Sequence, residues 1–251
     1  MNKVRIIPKL EIKNSHLIKG LQYEGLRKVG DPIDFAKKYY EDGADQINII
    51  DIVSSLYTRD NLYEIIDKIT DNIFIPICVG GGIKKIENIV KLLDCGADRV
   101  IINSEAFRNK EFINDIGNIF GKQFISISIE AKKFNNEYYC MMDHGRENTN
   151  IKVNEWVKYI NKLGVGEIII NSVDNDGMES GFDLSLIRLL DNNTKYPIVI
   201  SGGAGNFNHF LEATKFDYIS GLSASSVFHF NKINILDLKK SLKDNKVNTV
   251  E

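Results

Sequence analysis

The chain has 251 residues, of which 43% are apolar and 26% charged, so it is long enough to bury a sizeable core. Collagen-like repeats, low-complexity disorder and mini-proteins are excluded. Lysine and arginine total 32 against 34 for aspartate and glutamate, a formal charge of −2 that argues against nucleic acid as a partner. The three cysteines form no CxxC pair, which fits a reducing compartment. No apolar run reaches the ~18 residues of a membrane span and no signal peptide is evident, so we expect a cytoplasmic protein without membrane partners.

Short β-branched runs alternate with longer amphipathic stretches along the whole chain, which is typical of an α/β protein. The predicted strands, in chain order, cover residues 4–12, 46–52, 75–79, 99–103, 124–129, 167–171, 198–201 and 218–221. The predicted helices cover residues 32–41, 61–69, 84–93, 110–120, 154–162, 184–190, 207–213 and 235–242. Eight strand-helix units in about 250 residues favour a closed (β/α)8 TIM barrel over an open doubly wound sheet. With no linker composition along the chain, we predict a single domain over residues 1–251.

The two halves of the chain resemble each other at an offset of roughly 120 residues. EIK at 11–13 recurs as EAK at 130–132, and GGGI at 80–83 recurs as GGAG at 202–205. NSEAF at 103–107 recurs more weakly as ASSVF at 224–228. Repetition at one shared offset predicts two half-barrels, at about 1–122 and 123–251.

Two glutamates end strands that should lie opposite each other in an eight-stranded ring. Glu11 ends the first predicted strand and Glu130 follows the fifth. In barrels of this kind the catalytic groups lie at the carboxyl ends of the strands. Two facing carboxylates suit general acid/base chemistry, because one can donate a proton while the other accepts one. The alternative is that each glutamate pairs with a neighbouring lysine at the barrel mouth, but the matched positions in both halves favour catalysis.

Glycine clusters follow the third and seventh predicted strands, and each precedes a helix. Free backbone N–H groups at such a turn can hold a phosphate, and glycine lets the phosphate come close. Either cluster alone could be a tight turn, but the two together predict two phosphate cradles, completed by hydroxyl and amide donors. The candidate residues are Gly81, Gly82, Asn103 and Ser104 in the first cradle, and Gly203, Ala204, Ala224 and Ser225 in the second.

Other charged residues fall close to the predicted mouth. Asp51 closes the second strand, while Asp174 and Asp176 follow the sixth, and one of this pair should cap or turn its loop. Lys19 lies in segment 13–31, which we expect to be a mobile loop where a cation could meet a phosphate or carboxylate; a solvated lysine is the alternative. The four histidines show no ligand spacing, so we expect no metal site.

A series of motifs is spread evenly along nearly the whole chain. It comprises RII at 5–7, LIKG at 17–20, GDP at 30–32, VGGGI at 79–83, GADRVIIN at 96–103, GVGEI at 164–168, NSVDNDGMESGFD at 171–183, SGGAG at 201–205, HFLEA at 209–213 and ASSVFHF at 224–230. This series resembles the cyclase subunit of imidazole glycerol phosphate synthase. The resemblance implies a lyase of histidine biosynthesis that uses ammonia from a glutaminase subunit, its heterodimer partner. It implies ring closure in a ribulosyl aminoimidazole carboxamide substrate carrying two phosphates, with no cofactor or metal.

The resemblance also implies roles for individual residues. It implies an ammonia gate at the amino-terminal face of the barrel, made of Arg5, Gln46, Arg99 and Glu167, with Gln46 standing where an acid is usual. Asp98 would face the glutaminase. Within the NSVDNDG segment, Gly177 joins Asp176 as a candidate for substrate binding.

The chain departs from the family at the chemistry itself, because both catalytic positions are aspartates in the family and glutamates here, Glu11 and Glu130. One extra methylene moves each carboxylate by more than ~1 Å, a misplacement that can lower a rate ~100-fold. Two further hypotheses follow. One is a close paralogue that delivers ammonia to another acceptor, such as an amidino or amide group on a surface-polysaccharide or flagellin sugar. The other is a non-catalytic partner of a glutaminase, which the retained glycine clusters disfavour.

Overall fold

Strands and helices alternate along the chain. The structure, a computed structural model, describes residues 3–53, 60–190 and 194–250. The strands are β1 (Arg5–Lys13), β2 (His16–Leu21), β3 (Glu24–Gly30), β4 (Ile47–Asp51), β5 (Ile77–Gly80), β6 (Arg99–Ile102), β7 (Ile125–Phe134), β8 (Glu137–Met142), β9 (Glu147–Lys152), β10 (Glu167–Ser172), β11 (Ile198–Ser201) and β12 (Ile219–Ala224). The helices are α1 (Pro32–Glu41), α2 (Asp60–Thr70), α3 (Ile86–Asp94), α4 (Ser104–Arg108), α5 (Lys110–Phe120), α6 (Val153–Ile160), α7 (Leu184–Leu190), α8 (Phe207–Ala213), α9 (Ser226–His229) and α10 (Ile235–Asp244).

Eight of the strands form a closed parallel ring. Its order is β1, β4, β5, β6, β7, β10, β11 and β12, and the ring closes where β12 pairs with β1. Helices cover the outside, so both faces of these strands are buried, which explains their nearly continuous β-branched runs. The predicted (β/α)8 TIM barrel is therefore confirmed, whereas the half-barrel boundaries at about 1–122 and 123–251 stay a prediction.

The apolar core has an outer and an inner part, because successive residues of a strand face opposite sides. On β1, Ile6 belongs to the large cluster that the strands share with the helices. Its neighbour Ile7 belongs to a smaller cluster with Cys78, Ile169 and Val199. This second cluster fills part of the barrel interior, which is a packed core rather than an open pore.

Two antiparallel hairpins extend the ring, and the sequence did not predict either. β1 pairs with β2, which pairs with β3, and β7 pairs in the same way with β8 and then β9. The expectation that segment 13–31 is a loop was therefore wrong. Most of β3 is exposed and polar, so it lacks the apolar run that identifies a strand, and its backbone hydrogen bonds to β2 create the strand instead.

Helix starts follow local signals more closely. α1 begins at Pro32, and the Asp31 side chain caps it by accepting a hydrogen bond from the backbone N–H of Ile33 at 2.8 Å. None of the helices in the described ranges is both long enough and apolar enough to cross a bilayer.

Candidate active site

An open cavity lies at the carboxyl ends of the barrel strands. Glu11 and Glu130 both line it, although they are far apart in sequence. The predicted first cradle opens into the same cavity, with Asp51, Gly81, Gly82, Asn103 and Ser104 among its lining residues. The structure therefore brings both glutamates and one glycine turn to a single place.

A second, smaller hollow lies on the other side of the mouth. It is lined by the residues predicted for the second cradle, together with the lysine of segment 13–31 and the β10–α7 loop: Lys19, Asp176, Gly177, Gly203, Ala204, Ala224 and Ser225. Lys19 is buried on β2 rather than carried by a loop. The two hollows thus correspond to the two predicted groups of residues.

Each hollow contains a glycine that no other residue could replace without strain. Gly81 has φ +102°, and a Cβ there would lie 2.0 Å from the carbonyl oxygen of Asp51. Gly203 has φ +101°, and its Cβ would lie 2.0 Å from the carbonyl oxygen of Gly181. A positive φ and the close approach of another backbone both require glycine, so the turn shapes are fixed by these residues.

Glu11 lies between two buried lysines. Its Oε1 is 2.9 Å from Lys9 Nζ and its Oε2 is 2.9 Å from Lys19 Nζ. The same lysines contact Asp176, at 3.3 Å for Lys9 and 2.5 Å for Lys19. Burial alone would raise the pKa of Glu11, but the lysine cations outweigh it and hold that pKa well below its usual range. Glu11 is therefore an anion at every physiological pH.

Glu130 has a different environment. Burial raises its pKa to about 7, although the backbone N–H of Gly145 donates to its Oε2 at 2.8 Å and Lys9 lies nearby. Throughout the described part of the chain, no lysine or arginine forms an ion pair with it. Pairing with lysine therefore accounts for Glu11 but not for Glu130. Near neutral pH, Glu11 is thus fully ionised while Glu130 is protonated in part of the molecules, which suits a base and an acid in one site.

Residues that sequence reasoning did not select also line the large cavity. They include a lysine, two aromatic rings and three small polar side chains: Lys9, Tyr23, His144, Asn48, Ser128 and Asn171. Side chains two residues apart on a strand share a face, so the positions of Glu11 and Glu130 could have pointed to Lys9 and Ser128, which precede them by two residues. Tyr23 and His144 lie in the turns of the two unpredicted hairpins, where their rings stack with centroids 4.2 Å apart.

Several other acids and hydroxyls of the mouth have structural partners. Asp174 accepts from the backbone N–H of Lys133 at 2.8 Å, so it is the member of its pair that fixes the loop. Ser104 Oγ accepts from the Asp143 backbone at 3.0 Å, and Ser225 Oγ donates to the Lys9 carbonyl at 2.9 Å. These bonds tie each hollow to the strands and turns around the glutamates.

The four residues of the expected gate meet at the amino-terminal end of the barrel. Arg5 donates to Gln46 Oε1 and to Glu167 Oε2, at 2.7 Å in both cases, and Arg99 lies 3.5 Å from the same Glu167 oxygen. Asp98 is exposed at this end, and its carboxylate accepts from the backbone N–H of Ile77 at 2.8 Å.

Polar side chains continue from this cluster into the barrel. Gln46 donates to Asn48 at 2.8 Å, and Asn48 lines the floor of the large cavity. Asn171 donates to Ser128 at 3.0 Å at the same floor. Hydrogen-bonding groups are therefore present from the amino-terminal cluster up to the glutamates.

Over residues 3–53, 60–190 and 194–250, no group of three or more His, Cys, Asp or Glu side chains could hold a metal ion. The buried acids Glu11 and Asp176 form ion pairs with lysines instead.

Comparisons with known proteins agree on one family. The sequence profile described as "Histidine biosynthesis protein" matches residues 5–234. Among curated proteins, the chain is 41% identical to imidazole glycerol phosphate synthase subunit HisF of Hydrogenobaculum sp. (strain Y04AAS1), over 97% of both chains. It is 38% identical to the subunit of that name from Streptococcus mutans, over 97% of this chain and 98% of the relative. The HisF subunit of Legionella pneumophila is 44% identical over 84% of this chain and all of its own length.

Proposed function

The chain belongs to the histidine biosynthesis protein family, and we propose on that premise that it is the cyclase subunit of imidazole glycerol phosphate synthase. It is then a lyase of histidine biosynthesis that works in a complex with a partner subunit. One observation carries the proposal beyond the names of the relatives: a cavity lined by a glycine turn holds two carboxyl groups of very different pKa, and it adjoins a second glycine-lined hollow.

The two hollows suit the two ends of a bisphosphorylated substrate. In the first, Gly81, Gly82, Asn103 and Ser104 would hold one phosphate, and Asp51 would contact the adjoining sugar. In the second, Gly177, Gly203, Ala204, Ala224 and Ser225 would hold the other phosphate, near the Lys19 cation. A substrate anchored at both ends would lie across Glu11 and Glu130.

The two glutamates would then divide the proton transfers. Adding ammonia to a carbonyl carbon and losing the oxygen as water requires a proton donor. Glu130 can supply the proton, because its pKa of about 7 leaves it protonated in part of the molecules near neutral pH. Closing the ring joins the new nitrogen to the carbon that links the two parts of the substrate, and it requires removal of a proton from that nitrogen, for which the Glu11 carboxylate is available. The same carbon loses its bond to the aminoimidazole carboxamide part, which takes up a proton and leaves as the second product. The Lys19 cation beside Glu11 would also stabilise negative charge that develops between the two groups.

Ammonia would come from a glutaminase bound at the amino-terminal end of the barrel. There Arg5, Gln46, Arg99 and Glu167 would form the gate, and Asp98 would face the partner. The hydrogen-bonding groups between this cluster and the cavity floor support such a route, because a polar molecule needs partners in an otherwise apolar barrel.

The test is turnover of the ribulosyl aminoimidazole carboxamide substrate by the purified chain with excess ammonium salt and no glutaminase. We would measure it from pH 7 to pH 9, because free ammonia increases with pH while protonated Glu130 decreases. Formation of imidazole glycerol phosphate by the natural chain and not by Glu130→Gln supports the proposal. Binding of the substrate without turnover at any pH would refute it and direct the search to phosphorylated or nucleotide-linked sugars as acceptors.

A further inference from the structure

Lys9 is a buried cation in the wall of the cavity, and nothing in the motif analysis assigned it a role. We infer that Lys9 is a positioning residue: its ion pair keeps the Glu11 carboxylate ionised and directed into the cavity, and it leaves Glu130 as the proton donor of the site. The catalytic part of this inference rests on the proposed function, whereas the effect of Lys9 on the two carboxyl groups can be measured in the protein without substrate.

Four charged groups form a closed ring in which the sign alternates. Around the ring, Lys9 contacts Glu11, Glu11 contacts Lys19, Lys19 contacts Asp176, and Asp176 contacts Lys9, at 2.9, 2.9, 2.5 and 3.3 Å. Each of the four side chains is no more than 7% exposed. Buried charges are stable only when they are paired, so the ring is neutral as a unit.

Lys9 is the member that makes this balance possible. Without it, Glu11 and Asp176 would share the single cation of Lys19, and the buried site would carry a net negative charge. Opposite charges within about 4–6 Å lower a carboxyl pKa by roughly 1–3 units, so the low pKa of Glu11 depends on the second lysine. Lys19 also lines the second hollow, whereas Lys9 lines only the cavity that holds the two glutamates.

The other titratable groups that face the ring cannot replace this charge. Burial lowers the pKa of His144 to about 4 and that of His229 to about 3, so both imidazoles are neutral near pH 7. Burial raises the pKa of Tyr23 well above its usual value, so its phenol stays protonated beneath the Lys9 cation, 5.4 Å from the ring centroid. Glu130 faces the ring with no cation of its own, and Lys9 lowers its pKa.

The backbone fixes where the Lys9 side chain can reach. Lys9 lies in β1 next to Asn48 of β4, and its backbone carbonyl accepts a hydrogen bond from the Ser225 hydroxyl at 2.9 Å. Because residues two apart on a strand share a face, Lys9 and Glu11 point into the same cavity. The ion pair is therefore a property of the strand and not of a flexible surface chain.

The experiment compares the natural chain with Lys9→Met, which removes the charge, and Lys9→Arg, which retains it. Glutamate side chains labelled with 13C report each carboxyl titration by NMR, with Glu11→Gln and Glu130→Gln assigning the signals. In the natural chain we expect a Glu130 midpoint near 7 and no Glu11 titration above pH 4. In Lys9→Met the Glu130 midpoint should rise by about one pH unit or more, and Glu11 should begin to titrate at the acid end. Lys9→Arg should resemble the natural chain.

The pH dependence of turnover is a second measurement, and a purely structural role of Lys9 would not change it. Removal of Lys9 should shift the alkaline limb of the pH-rate profile of ammonia-driven turnover, which reports Glu130, to higher pH, whereas a packing defect would lower the rate at all pH values equally. Unchanged carboxyl midpoints in folded Lys9→Met, or in Lys9→Gln should the first variant not fold, would overturn the inference. Shifted midpoints in a chain that never forms product would instead support the role of Lys9 and refute the proposed function, since the titration needs no substrate.

Discussion

Replacing Glu130 with glutamine should stabilise the folded protein at alkaline pH and leave its stability nearly unchanged at acid pH. Glu130 is buried and its pKa is about 7, against an ordinary value of 4.5 in the unfolded chain. Folding therefore favours the protonated form, and the folded state is penalised when the pH rises far enough to ionise this group. Glutamine removes the ionisation but retains an oxygen that can accept from the Gly145 N–H.

The size of the effect follows from the difference between the two pKa values. Two to three pKa units at 1.36 kcal/mol each give a penalty of about 3 kcal/mol at pH 8, where the unfolded carboxyl is fully ionised and the folded one largely so. Well below pH 4.5 the carboxyl is protonated in both states and the penalty vanishes. The gain from Glu130→Gln should thus be near zero at pH 4 and rise to its full value above pH 7.

Urea unfolding at a series of pH values measures this gain, with Trp156 as the reporter because it is the single tryptophan and is 2% exposed. Glu11→Gln is the matched control, since it makes the same chemical change on the opposite strand of the ring. Lysines lower the pKa of Glu11, so its charge contributes stability above the ordinary pKa, and its replacement should destabilise the protein at pH 8. Equal effects of the two variants, or a Glu130→Gln effect that does not change with pH, would refute this account of the site.

Three further predictions concern turnover, the hollows and the partner. Glu11→Gln and Glu130→Gln should each abolish turnover while changing the affinity for a phosphorylated ligand by no more than a few-fold, as titration calorimetry would show; retained turnover in both would contradict the acid/base roles. Gly203→Ala should weaken binding of inorganic phosphate about tenfold or more, because the new Cβ would lie 2.0 Å from the carbonyl oxygen of Gly181 and would force the turn to move. Gly25→Ala, also at positive φ but with open space around it, controls for backbone strain, and equal losses in both would refute a local phosphate site. Asp98→Asn should reduce glutamine-driven activity with the glutaminase and spare ammonia-driven activity, since the amide can still accept from the Ile77 N–H; loss of both activities would mean that Asp98 acts inside the barrel.

Local patterns in the sequence determined the barrel and the ends of its strands. Strand runs, helix periodicity and a cap such as Asp31 are short-range signals, so eight units and their order could be read directly. The glycine turns were equally readable, because Gly81 and Gly203 adopt backbone conformations that other residues avoid. The hairpin strand β3 was missed, since its polar residues become a strand only through pairing with β2.

The tertiary structure alone decided what the two glutamates are. In the sequence they occupy equivalent positions in two similar halves, and nothing local distinguishes them. In the fold, β1, β2 and the loop after β10 bring Lys9, Lys19 and Asp176 around Glu11, while Glu130 is buried without a cation. A carboxyl pKa depends on burial and on charges a few ångströms away, and those charges come from segments distant in the chain. The sequence therefore determined where the carboxyl groups lie, and the packing of distant segments decided how strongly each one holds a proton.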